Sequence, residues 1–305
     1  MRRKLEELDL IDDFLMNGIA NNEKVKEKFF KKLLSVLLEQ DIGKVTVTAQ
    51  KMIPAIDTDY RGVRLDVEVS EIKNKNGIER VANVYDIEPH LRNDTDFPKS
   101  NRFRQAKIDS KYMKTGNNEF QNMPGLYVIT ITNFDIFRED YMLYTFKNSC
   151  EEVPDLKYED GLKFIYFNTK GHKGGSKSIE NLLRYIQNST DNNVVDENTK
   201  ELSGYVREVK SGEAFKEAFM TIGDHLDRER EEGREEERKN TERERLRAEK
   251  ERLRAEKEQK RAEKAEAEKE KAEAEKEKAE AEKKKAEAEI KALKEKLARL
   301  EAGMR

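Results

Sequence analysis

A seven-residue repeat limits what the C-terminal part of this chain can build. Glu244-Arg245-Leu246-Arg247-Ala248-Glu249-Lys250 is followed at once by Glu251-Arg252-Leu253-Arg254-Ala255-Glu256-Lys257, and variants continue through Ala265, Ala272, Ala279 and Ala286. Glu, Lys, Arg and Ala all favour helix, and opposite charges three or four positions apart, as in Glu273 with Lys276 and Glu280 with Lys284, add to that preference. Such a helix has almost nothing to bury. Ala stands in the middle of the repeat where a strong coiled coil carries Leu or Ile, so self-association there is weak; Ile290, Leu293, Leu297 and Leu300 close the chain with coiled-coil spacing and could clasp another copy. Residues 244 to 302 as one helix would extend about 90 Å at ~1.5 Å per residue.

Everything that can form a core therefore lies upstream. The last Phe or Tyr of the chain is Phe219, and branched residues thin out from Asp224 onward. We expect a compact domain over residues 1–225 and a charged helical tail over 226–305. The formal net charge of -3 gives no global attraction to nucleic acid, although Lys99, Arg102, Arg104, Lys107, Lys111 and Lys114 form a local basic patch. The single cysteine, Cys150, excludes an internal disulfide framework and fits a reducing compartment. No apolar run approaches the ~20 residues that cross a bilayer, and the N-terminus lacks a secretory apolar segment. A cytoplasmic protein without a membrane role is expected.

Within the compact part, helical spacing of Leu8, Leu10, Ile11, Phe14, Leu15 and Ile19 predicts a helix over 5–19, and Val25 to Leu38 predicts a second. Alternation over 44–50 predicts a strand. Two further short alternating runs follow, Arg64-Leu65-Asp66-Val67-Glu68-Val69 and Val81 to His90, with Lys73-Asn74-Lys75-Asn76-Gly77 between them as a hairpin signal. Pairing of these strands would bring Asp66 and Glu88 together at one rim of a sheet. Two carboxylates so placed suit a divalent cation, whereas the same residues on an outward face would be an ordinary solvated hairpin. Leu91 to Asn101 reads as a loop containing Pro98, and 101–112 as a basic helix that either grips a phosphate backbone or is simply solvated. The run Leu126 to Thr132 reads as a strand buried on both faces, 141–146 and 162–167 as two more strands, 176–186 as a helix and 201–219 as another. Gly171-His172-Lys173-Gly174-Gly175 lacks the spacing of a nucleotide-binding loop and reads as a turn.

Hydrolysis of a phosphodiester needs an activated water and neutralisation of the scissile phosphate, which Mg²⁺ held by two carboxylates can provide. Asp66 and Glu88 would hold the metal, the Pro89 carbonyl offers a further oxygen, and His90 falls two residues beyond Glu88 on the same strand face. This order of residues resembles the PD-(D/E)XK nuclease superfamily and, within it, the recombination-promoting nuclease and transposase family. The likeness rests on Asp13-Phe14, Arg64-Leu65-Asp66-Val67, Ile87-Glu88, Gln105-Ala106-Lys107 and the strand after Pro124-Gly125, and so covers most of residues 1–225. Charged helical tails also recur in that family.

The resemblance implies an α/β, restriction-endonuclease-like mixed β-sheet core flanked by helices, followed by the long charged helix or coiled coil. It further implies a DNA endonuclease dependent on Mg²⁺, with Mn²⁺ as a substitute, acting in DNA recombination or mobile-element biology. Asp66 and Glu88 would be the metal ligands, and His90 would complete the catalytic set. Asp13, Glu68 and Asp86 become supporting acids, while Arg104, Gln105, Lys107 and Lys111 become DNA contacts. DNA is then the expected partner, and the C-terminal helix would join a homo-oligomer. The family pattern ends in Glu-x-Gln or Glu-x-Lys where this chain has Glu88-Pro89-His90. That departure supports the alternative of a catalytically degraded nuclease-fold protein serving in DNA binding or assembly.

Overall fold

The computed structural model describes residues 4–53, 63–75, 77–93, 96–113 and 120–302. Asn76 of the hairpin signal and Lys114 of the basic patch lie outside the described residues. The chain divides into two compact units, 1–223 and 224–305.

The first unit is α/β. Its helices are α1 (Asp13–Ala20), α2 (Lys26–Leu37), α3 (Phe97–Tyr112), α4 (Lys177–Gln187), α5 (Glu197–Ser211) and the start of α6 (Glu213–Ala302). Its strands are β1 (Lys44–Ile53), β2 (Val63–Lys75), β3 (Ile78–His90), β4 (Gly125–Thr132), β5 (Leu143–Phe146) and β6 (Leu162–Asn168). They form one mixed sheet in the order β1-β2-β3-β4-β6-β5. The β1/β2, β2/β3 and β5/β6 pairs are antiparallel, and β3/β4 and β4/β6 are parallel.

Parallel neighbours cannot be joined by a tight turn, so the chain between β3 and β4 must cross over the sheet. α3 makes that crossover and covers one face. Val84, Leu126 and Val128 pack with its Ile108 there. The other face carries the larger core, in which Val67, Val69, Tyr85, Ile87, Ile129, Ile131, Ile165 and Phe167 meet apolar residues of α1, α2, α4 and α5. Each strand's period of two thus serves two different layers.

The structure moves several expected boundaries. The helix expected over 5–19 is a short 3₁₀ turn at Leu5–Glu7 and then α1. Between them the backbone donors are taken elsewhere: Asp9 N–H donates to Asp12 Oδ2, Leu10 N–H to Ser189 Oγ and Ile11 N–H to the Ile186 carbonyl. Leu8, Leu10 and Ile11 are nonetheless buried. The loop expected over 91–101 gives way to α3 at Phe97, because Asp96 accepts from Lys99 N–H and Pro98 falls in the first turn, where a missing N–H costs nothing. The helix expected over 201–219 is two helices: α5 begins earlier on an Asp196–Thr199 cap, and the chain leaves helical geometry at Gly212 before α6. The strand expected from Tyr141 starts at Leu143, Tyr141 making only an isolated bridge to Lys173.

The described part of the second unit is the remainder of α6. Leu246, Leu253, Ile290 and Leu293 are all exposed along it, and ion pairs one turn apart, such as Lys239–Glu235 and Lys260–Glu256, decorate its surface. The side chains of Leu297 and Leu300 lie outside the described residues. Among the described residues, no helix is long and apolar enough to cross a membrane.

Candidate active site

The β2/β3 register pairs Val67 with Ile87 and Glu68 with Asp86, which sets Asp66 opposite Glu88. The Asp66 N–H donates to Glu88 Oε1 at 3.0 Å. A register shift between Glu71 and Ile72 lies further along the hairpin, so the pairing around the carboxylates stays regular. Alternation then places Asp66, Glu68, Asp86, Glu88 and His90 on one face, the face that α3 covers. The hairpin's acids are therefore turned inward. Asp86 and Glu88 are 0% exposed and Glu68 is 2% exposed.

Carboxylates removed from water need cations, donors or protons. The cations come from α3. Arg104 Nη1 bonds Glu88 Oε1 and stands 4.0 Å from Asp86 Oδ2, and Lys111 Nζ bonds Glu68 Oε1 at 2.6 Å. Asn101 on the same helix donates to Thr130 Oγ1 of β4 at 2.9 Å. Asn101, Arg104, Ile108 and Lys111 form a three-four-three stripe, so the helix presents both cations on the side that buries Ile108. Lys107 and Gln105 lie off this stripe. Lys107 stands over the Phe103 ring, and Gln105 Nε2 donates to Asp109 Oδ2.

Burial dominates the proton affinities of Asp86 and Glu88. It raises Asp86 to about 7 against the opposing charge of Arg104, with the charges of Asp66 and Glu68 adding to the rise. Glu88 is likewise raised well above the ordinary glutamate range, first by burial and then by the charge of Asp86, while Arg104 opposes this. Asp13, at the first turn of α1, reaches about 6, through partial burial and then the charges of Asp66 and Asp12. The field of Asp66 thus extends to the N-terminal acid.

His90 packs edge-on against Phe97, with ring centroids 5.0 Å apart, and Pro89 is buried in register with Ile131. His172 lies apart from this group and pairs with Asp140 at 2.9 Å. The side chain of His225 lies outside the described residues.

The donor chemistry of the cluster fits a hard divalent cation. Glu88 Oε2 and both Asp86 oxygens are buried without a hydrogen-bond partner, and orphaned carboxylate oxygens are what Mg²⁺ or Mn²⁺ takes as ligands. Among the described residues, no group of three or more His, Cys, Asp or Glu is drawn together so as to hold a metal ion. The acids are brought to one face; the cation that meets Glu88 is a guanidinium. Compared with family models, with curated proteins and with solved structures, the chain matches none.

The inward role of Arg104 and Lys111 was within reach of the sequence. A helix crossing a sheet must turn its apolar residue toward it, and Arg104 and Lys111 stand four before and three after Ile108.

Proposed function

We propose that this protein is a metal-dependent DNA endonuclease of restriction-endonuclease-like fold, acting in DNA recombination or mobile-element biology. The observation that carries this reading is the direct opposition of Asp66 and Glu88 across β2 and β3, tied by the Asp66 N–H to Glu88 Oε1. Asp66 and Glu88, with the Pro89 carbonyl, would hold Mg²⁺ or Mn²⁺. When bound, such an ion supplies charge neutralisation at the phosphate and an acidified water. His90, two residues beyond Glu88, would orient that water or take its proton. Asp13, Glu68 and Asp86 would set the field around the ligands, and Lys107 and Gln105, off the inward stripe of α3, would meet the DNA backbone. α6 would join copies of the chain through its C-terminal aliphatic residues.

The test is cleavage of duplex and single-stranded DNA with and without Mg²⁺ or Mn²⁺. Metal-dependent cleavage is expected, with Asp66→Ala and Glu88→Ala each losing it while keeping the far-ultraviolet circular dichroism of the parent. Cleavage that persists in both variants would overturn the assignment.

A second reading has its own support. Arg104 on Glu88 and Lys111 on Glu68 neutralise the acids without metal, and His90 stands where the resembled family carries Gln or Lys. These features suit a nuclease-fold protein that has lost catalysis and serves in DNA binding or assembly. Metal-independent DNA binding without cleavage on any substrate would favour it.

A further inference from the structure

Two carboxylates with no solvent exposure and a third nearly as deep cannot all keep their charge beside one another unless cations answer them. Both cations come from one stripe of one helix. That helix is attached to the sheet by little apolar surface, for its buried residues are Phe97, Asn101 and Ile108 alone. The polar contacts of Asn101, Arg104 and Lys111 therefore carry much of its hold on the sheet. Arg104 keeps 16% of its side-chain surface exposed and Lys111 keeps 30%, so each reaches its carboxylate from the solvent margin while the carboxylates lie behind it.

Glu88 is the shared point. Its Oε1 accepts from both the Asp66 N–H and Arg104 Nη1, and its Oε2 has no hydrogen-bond partner. Asp86 Oδ2 stands 4.0 Å from the same guanidinium. An arginine cannot leave by losing its proton, because it stays charged at any pH a protein survives. It can leave only by moving, and while it stays its charge repels any second cation brought to Glu88. In a buried setting that repulsion is weakly screened.

We propose that Arg104 is a built-in competitor for the divalent cation, holding Glu88 and Asp86 in the metal-free protein and lowering the site's cation affinity until the guanidinium moves away. The inference rests on the metal-site reading of Asp66 and Glu88 given above, and it adds a regulatory residue to it. Arg104 is a positioning residue here. It touches the metal ligands, and its contribution is to set the concentration at which the ion loads.

The experiment is a binding measurement on the full-length protein, with no DNA present. Mn²⁺ is titrated into wild type, Arg104→Met, Arg104→Gln, Arg104→Lys and the double variant Arg104→Met with Glu88→Gln, and free Mn²⁺ is read by electron paramagnetic resonance. Removing the charge in Arg104→Met and Arg104→Gln is expected to tighten Mn²⁺ binding by about tenfold or more. Arg104→Lys, which keeps a positive charge, should stay within about threefold of wild type. The double variant should lose the gain. Circular dichroism identifies whichever variants are folded, and two neutral replacements guard against one failing for reasons of packing. Equal or weaker Mn²⁺ binding in both folded neutral variants, absence of binding included, overturns the proposal, as does a gain that survives Glu88→Gln. Cleavage is assayed separately: variants that bind Mn²⁺ tightly and cut no DNA leave the competition standing and count against the endonuclease.

Discussion

Glu71 shows how differently one strand can use two acids. Glu68 faces α3 and meets Lys111, whereas Glu71, on the opposite face of β2, is held by three donors with no cation among them. Asn83 Nδ2 donates to Oε2 at 2.7 Å, Tyr85 Oη to Oε2 at 3.0 Å, and Gly43 N–H to Oε1 at 3.0 Å. Burial pushes the Glu71 carboxyl up, but these hydrogen bonds outweigh it and hold the group below its usual range. A carboxyl depressed in the folded state contributes stability that is complete above the unfolded value of about 4.3 and is lost as pH falls through the folded value. Glu71→Ala should therefore lower stability at pH 7 by about 1–3 kcal/mol in urea titrations, leaving Tyr85 and Asn83 without their acceptor. The gap to wild type should narrow when the titrations are repeated below pH 4. A gap that stays constant or widens on acidification would rule out the charged form as the one that matters.

At the scale of elements, α3 decides what the hairpin is for. It brings cations onto acids that the strand alternation turned inward, and Ile108 is its apolar anchor among Val84, Leu126 and Val128. Ile108→Ala should cost about 2–4 kcal/mol through lost burial and the cavity left behind, measured by urea unfolding. The same substitution should raise hydrogen exchange in α3 before it does so in β4, since the strand is paired on both sides. α1 meets a different constraint. A Cβ at Gly18 would come within 2.1 Å of the Phe215 ring, so Gly18→Ala must displace the start of α6 or turn that ring, and with it the stacking of Phe215 on Phe14. We expect a loss of about 1–3 kcal/mol by the same measurement.

For the whole molecule, the consequence of composition is a division of labour. Residues 1–223 contain the core, and among the described side chains of 224–305 none is buried. Limited trypsin digestion should strip the Lys- and Arg-rich tail first and leave a resistant fragment ending near Gly223, because cleavage needs only local opening of a helix that packs on nothing described within its own unit. Rapid loss of the core together with the tail would contradict this.

The sequence by itself determined the tail, the strands around Asp66 and Glu88, and the order of most elements, because periods of two and of about 3.6 and runs of charge are local properties of a chain. It also carried the near-contact of Asp66 and Glu88, since a hairpin's register follows from its own two strands. Caps and breaks were less legible: the break between the 3₁₀ turn and α1 and the start of α3 at Phe97 depend on acceptors such as Asp12, Ser189 and Asp96, two of them local and one supplied from far along the chain. Only the tertiary structure decided which face of the hairpin would be dry and what would cover it. The crossover between β3 and β4 laid α3 over the acids, and so made Arg104 and Lys111 their counter-ions. The spacing to Ile108 shows which side of α3 carries Arg104 and Lys111, but no local pattern says which acids they will meet there, because the energy of a charge depends on whether water or another charge lies beside it, and folding alone sets its neighbours.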